Sequence, residues 1–196
     1  MSNNSENIIR IIACAVFKPA LDYLRLEERY PNVRLTYVPS YLHLRPQELK
    51  SRLEEKIVSA KEGNERVVCL YGECFPGIDE LCQQLGAIKV PGDYCYEMLL
   101  GSERFHKLIQ EMAGTYFAEK DLITHFQEYC VRPLDLQDEE MRKYCFDRYR
   151  RLLYIRQPSD PNLISRAGEM ADFLELSLDV RDADYSHLDR VLVELI

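Results

Sequence analysis

The order of apolar patterns along the chain constrains its fold more than any other feature. Short runs rich in β-branched and aromatic residues alternate with longer stretches whose apolar residues recur at helical spacing. Strands are expected at 8–13, 33–38, 66–71, 87–90, 114–118, 151–155 and 174–180, with helical stretches between most of them. Such alternation buries a largely parallel sheet between helices on both faces. The expected fold class is therefore α/β, a doubly wound, mostly parallel sheet of Rossmann-like or flavodoxin-like type. Residues 1–196 read as one α/β domain, with a weak subdivision near 131–137. If the strand order resembles 2-1-3-4-5, the first and third strands are neighbours, and the ligand crevice opens at their C-terminal ends.

Local signals support these elements. The run 8–13 is apolar except for Arg10, as a buried strand requires. Pro19 opens a helix that extends to about Tyr30. A longer helix starts at Pro46, and Leu49, Leu53, Ile57 and Ala60 give it one apolar stripe. Gly63 and Asn64 end it. The stretch 94–112 reads as helical, with a break offered at Gly101-Ser102.

Charge and cysteine usage narrow the function classes. The net charge of −8 argues against nucleic acid and anionic membranes as partners. The basic stretch 142–156 is interleaved with acids and aromatics and reads as a solvated helix face leading into a strand. No apolar run approaches the ~18–20 residues that span a bilayer. The polar start, MSNNSEN, has no basic segment followed by an apolar core. The expected location is the cytoplasm, where the seven cysteines are thiols, metal ligands or core residues rather than a disulfide framework. No GxGxxG, Walker loop, HExxH or nucleophile elbow is present.

Three thiols lie just past expected strands: Cys14, Cys74 and Cys95. Sulfurs brought from remote parts of a chain to one sheet edge can bind a metal or hold a reactive thiolate. Cys69, inside a strand, reads as a small buried apolar residue. Cys82, Cys130 and Cys145 read as core or surface residues in helices. His43, between the second strand and the Pro46 helix, is a candidate metal ligand or proton donor, and equally a hydrogen-bonded loop histidine. Arg45 is a candidate for binding a carboxylate or phosphate. Gly72 permits a tight turn or a close backbone approach to a ligand.

These residues fall in motifs that resemble the DUF1638 family. The motifs are Ala13-Cys14-Ala15-Val16-Phe17, Leu42-His43-Leu44-Arg45-Pro46, Tyr71-Gly72-Glu73-Cys74, Asp93-Tyr94-Cys95 ahead of Leu99-Leu100-Gly101-Ser102, and Ala113-Gly114-Thr115-Tyr116. They occur in the family's order over most of the chain. Three departures stand out: Ala15 for a glycine, Phe75-Pro76 for a glycine-rich loop, and Asp93 for a histidine. The resemblance implies an α/β fold and a site built on Cys14, His43, Cys74 and Cys95. It also implies an association with corrinoid-dependent methyl transfer. Asp93 can still ligate a borderline metal or act as a base.

The leading expectation is a metal-binding protein of methyl or one-carbon metabolism. Cys14, Cys74 and Cys95 would hold Zn²⁺ or an Fe–S cluster, with His43 or Asp93 in support. A corrinoid or methyltransferase protein is the expected partner, and a small molecule a further one. The alternatives are a metal-free enzyme, with a cysteine nucleophile and His43 as base, and an accessory or small-molecule-binding module whose cysteines are only packed.

Overall fold

The computed structural model describes residues 8–196; the polar start MSNNSEN lies outside them. The chain divides into two compact units. One extends to Met98 and takes in Ser186–Ile196, and the other is Leu99–Tyr185.

The first unit contains β1 (Ile9–Cys14), α1 (Lys18–Leu24), α2 (Leu26–Arg29), β2 (Val33–Val38), α3 (Pro46–Glu62), β3 (Arg66–Leu70), α4 (Ile78–Gln84) and β4 (Ile88–Lys89). Its sheet has the order β2-β1-β3-β4, and every pairing is parallel. Ile11, Ile12, Ala13, Val67, Val68 and Cys69 are fully buried, because the central strands are covered on both faces. Leu49, Leu53, Ile57 and Ala60 of α3 are all buried, and each large one contributes about 1.5–3 kcal/mol by leaving water. Arg10 sits in its apolar strand by pairing with Glu65 through two hydrogen bonds of 2.8 and 2.7 Å. The helix expected from Pro19 to Tyr30 is interrupted at Arg25, which takes a left-handed conformation (φ 51°). α5 (Cys95–Leu100) follows β4.

The second unit contains α6 (Ser102–Glu111), β5 (Thr115–Ala118), α7 (Lys120–Thr124), α8 (Glu139–Phe146), β6 (Arg151–Arg156), α9 (Ile164–Phe173) and β7 (Ser177–Asp182). Its strands form a separate parallel sheet, β5-β6-β7. α10 (Ser186–Leu195) belongs to the first unit, where Asp189 pairs with Arg29 of α2 at 2.7 Å.

The α/β class and the order of the first four strands agree with the sequence reading. The single continuous sheet does not: the fifth strand starts a sheet of its own. The physical reason lies in β4, which pairs only Ile88 and Lys89 with β3 before Pro91 and Gly92 turn the chain away. So short an edge offers little backbone for a further strand. Residues 131–137 lie inside the second unit, where Val131 and Leu136 are fully buried. The last strand begins at Ser177 rather than 174, because Glu175 adopts φ 58° at the end of α9 and Leu174 and Leu176 pack in the core. No helix among the described residues is long and apolar enough to cross a membrane.

Candidate thiol site

Parallel pairing brings the C-terminal ends of β2, β1, β3 and β4 to one edge of the first sheet. Each following loop carries a sequence candidate: His43 after β2, Cys14 at the end of β1, Cys74 after β3, and Asp93 with Cys95 after β4. Ala13 pairs with Leu70, so Cys14 and Tyr71 leave neighbouring strands at the same level. Cys14 and Cys74 are both half-buried and pack on one apolar cluster with Ile12, Val38, Leu42, Tyr71 and Phe75.

Tyr71 is a buried member of this cluster. It is 1% exposed, and its hydroxyl has no hydrogen-bond partner among the described residues. Burial holds the phenol in its protonated form, and the sulfurs of Cys14, Cys74 and Cys69 act on it in the same direction. A buried, unpartnered hydroxyl beside two thiols is a donor for which the site must supply an acceptor. Burial also pushes the Cys74 thiol up, with Glu73 adding to the shift.

The loop that carries Cys74 is fixed by its own chain. Glu73 donates its N–H to the Asp93 carbonyl at 2.8 Å, and Cys74 N–H reaches back to the Gly72 carbonyl at 2.8 Å. A Cβ on residue 72 would stand 2.5 Å from the Asp93 oxygen. The close approach that Gly72 permits is therefore to residue 93. Asp93 N–H is held by the buried Glu97 carboxylate at 2.9 Å. Lys89, whose side chain is 8% exposed, contacts Glu73 at 3.1 Å and Asp79 at 3.4 Å and donates to the Gly92 carbonyl at 3.3 Å. Lys89 was not among the sequence candidates. Its signal was a lysine closing a two-residue strand whose neighbouring turn carries acids.

The remaining candidates are more peripheral. Cys95 is half-buried and opens α5. His43 is exposed in a 3-10 turn, and its Nδ1 bonds the Ser40 carbonyl at 2.7 Å. That bond puts the proton on Nδ1 and makes Nε2 the basic nitrogen. Arg45 contacts Glu48 at 3.4 Å and lies over the Tyr41 ring. Asp93 is exposed, and its backbone rather than its carboxylate contacts the Cys74 loop. Among the described residues, no group of three or more His, Cys, Asp or Glu side chains stands close enough to hold a metal ion. Two of the four expected ligands, Cys14 and Cys74, thus share one cluster with Tyr71, and Cys95 and His43 lie in loops at the same sheet edge.

The other thiols sort as expected for Cys69, which is fully buried. It donates a hydrogen bond to Cys82, which raises the Cys69 thiol and lowers that of Cys82. Cys130 is buried in the second unit, where it meets the Tyr116 hydroxyl at 3.5 Å, and Cys145 is half-buried.

The family model described as "Protein of unknown function (DUF1638)" matches residues 37–192, most of the chain. Comparison with curated proteins and with solved structures gives no match.

Proposed function

The chain belongs to the DUF1638 family, and we propose that it binds a soft metal through the thiols of Cys14, Cys74 and Cys95. His43 or Asp93 would complete the shell. The observation that carries this reading is topological: four parallel strands deliver these residues to one sheet edge, where α/β proteins take their ligands. Soft sulfur donors suit zinc or an iron–sulfur cluster and disfavour magnesium or calcium.

The first two ligands fit the group. Cys14 and Cys74 share a cluster, and the Tyr71 hydroxyl has no partner among the described residues. Metal binding would deprotonate the Cys74 thiol, which burial pushes up. The third ligand requires the loop with Cys95 to close on the ion, since no three-residue group stands ready among the described residues; metal binding and local folding are commonly coupled. A zinc ion with an open position activates a bound thiol, and a cluster with one exchangeable iron offers a comparable vacancy. On this reading the protein serves methyl or one-carbon transfer beside a corrinoid or methyltransferase partner. A metal-free nucleophile finds less support at Cys74, because its raised thiol leaves little thiolate at neutral pH.

Cys14→Ala, Cys74→Ala and Cys95→Ala are each expected to reduce metal content about tenfold or more, whereas Cys69→Ala keeps the wild-type content. Elemental analysis of anaerobically purified protein, with circular dichroism to verify folding, decides the matter. Equal metal in all four variants would refute a shared site.

A further inference from the structure

The second sheet also ends in a polar cluster, and none of its members belongs to the thiol site. Glu119 follows β5, Gln157 and Asp160 follow β6, and Tyr185 follows β7. Glu119, Gln157 and Tyr185 are buried, as is Tyr154 within β6. Burial of this much polar surface is unfavourable unless each group is paired, and most are. The Tyr154 hydroxyl and the Gln157 N–H both donate to Asp160 Oδ2, at 2.7 and 2.9 Å. The Tyr185 hydroxyl donates to Gln157 Oε1 at 3.0 Å and lies 3.2 Å from Ser159 Oγ. Glu119 accepts from the Asp121 and Leu122 N–H groups at 2.6 and 2.9 Å.

Two atoms are left over. Gln157 Nε2 and Asp160 Oδ1 are both buried without a hydrogen-bond partner among the described residues. One is a donor and the other an anionic acceptor, and a single loop carries both. Their roles are fixed from behind: Tyr185 holds the amide by its oxygen, and Tyr154 holds the carboxylate by Oδ2. A donor and an acceptor held in place and unsatisfied, at the C-terminal ends of parallel strands, have the character of a binding site. Pro158 and Ser159, between them in the chain, are exposed, so the pair lies beneath a surface segment.

We propose that this edge of the second sheet binds a small neutral molecule by an N–C=O edge, that of a primary carboxamide or lactam. The ligand carbonyl accepts from Gln157 Nε2, and the ligand N–H donates to Asp160 Oδ1. A carboxylate there would face Asp160 with a second acceptor, and an amidinium would face Gln157 with a second donor. Discrimination of this kind is strong because a mismatch leaves buried polar groups unpaired.

The test uses the full chain, ¹⁵N-labelled, with benzamide and benzoate as probes. Benzamide is expected to shift the Gln157 side-chain amide resonances saturably, and benzoate is not. In Asp160→Asn the amide oxygen still accepts from Tyr154 and the Gln157 N–H, so its NH₂ takes the Oδ1 position. Two donors then face the ligand. Benzamide should weaken about tenfold or more, and benzoate should bind. Gln157→Glu, still anchored by Tyr185, presents two acceptors and should bind benzamidine in place of benzamide. The proposal is overturned if benzamide leaves the Gln157 resonances of the wild-type protein unmoved. Unchanged benzamide affinity in a folded Asp160→Asn or Gln157→Glu variant overturns it as well.

Discussion

Gly72→Ala is expected to destabilise the protein by about 3 kcal/mol, at the upper end of the range for overpacking, and to abolish metal binding with every cysteine intact. The added Cβ would lie 2.5 Å from the Asp93 oxygen and 3.1 Å from the Tyr94 Cα. These are backbone atoms, so no side-chain rotation relieves the clash. Either the turn after β3 or the segment around residue 93 must move. The Glu73 N–H to Asp93 carbonyl bond would be lost with that movement. The turn carries Cys74 and the segment leads into Cys95, so the displacement separates two expected ligands. Gly168→Ala is the control: it lies inside α9 with nothing within 4 Å of the new Cβ. Alanine there should be neutral or stabilise by up to about 1 kcal/mol. Urea denaturation measures both changes, and a Gly72→Ala protein as stable as wild type would show that the close approach does not constrain the turn.

Glu119→Gln should alter the dependence of stability on pH by about 3 kcal/mol, from 1.36 kcal/mol per unit of pKa. Burial raises the Glu119 carboxyl to about 7 from its ordinary 4.5; the Asp121 and Leu122 N–H groups oppose the rise, and the charges of Asp121 and Asp160 add to it. The folded state therefore holds this proton more tightly than the unfolded chain. Its contribution is fully present below pH 4.5 and is lost as pH rises through 7. Glutamine does not titrate. The stability of the variant minus that of wild type should accordingly move in the variant's favour between pH 4.5 and 8. The comparison cancels groups that titrate alike in both proteins. Two parallel curves would mean that Glu119 ionises normally in the fold.

Much of the architecture was legible because burial on both faces leaves a plain trace in sequence. The continuous runs at β1 and β3 and the stripe of α3 marked the central strands and their covering helix. Gly101 marked a real boundary, since its φ of 85° lies between α5 and α6. What escaped was long-range. Whether β5 extends the first sheet or begins another depends on the length of β4, and the strand expected at 87–90 proves to be only Ile88–Lys89, a shortening that a pattern of period two does not reveal. The left-handed turns at Arg25 and Glu175 were hidden because neither residue is a glycine.

The site was legible to a similar depth. Strand-end placement was enough to bring Cys14 and Cys74 to adjacent strands. It could not say that Tyr71 would be buried in the same cluster with no partner for its hydroxyl among the described residues, or that the Asp93 backbone would contact the Cys74 loop. The candidates Cys14, His43, Arg45, Cys74, Asp93 and Cys95 all lie at or past the ends of the first four strands, and the polar cluster of Glu119, Gln157, Asp160 and Tyr185 after the last three was not among them. The same rule applied to carboxylates and amides would have found Glu119 after β5 and Gln157 after β6.

Three sulfurs are expected to meet on one ion at the edge of the first sheet. X-ray absorption at the metal edge of anaerobically zinc-loaded protein counts those neighbours directly. Three sulfurs at about 2.3 Å, with one lighter donor, is the predicted shell. A shell of nitrogen and oxygen alone would contradict the account.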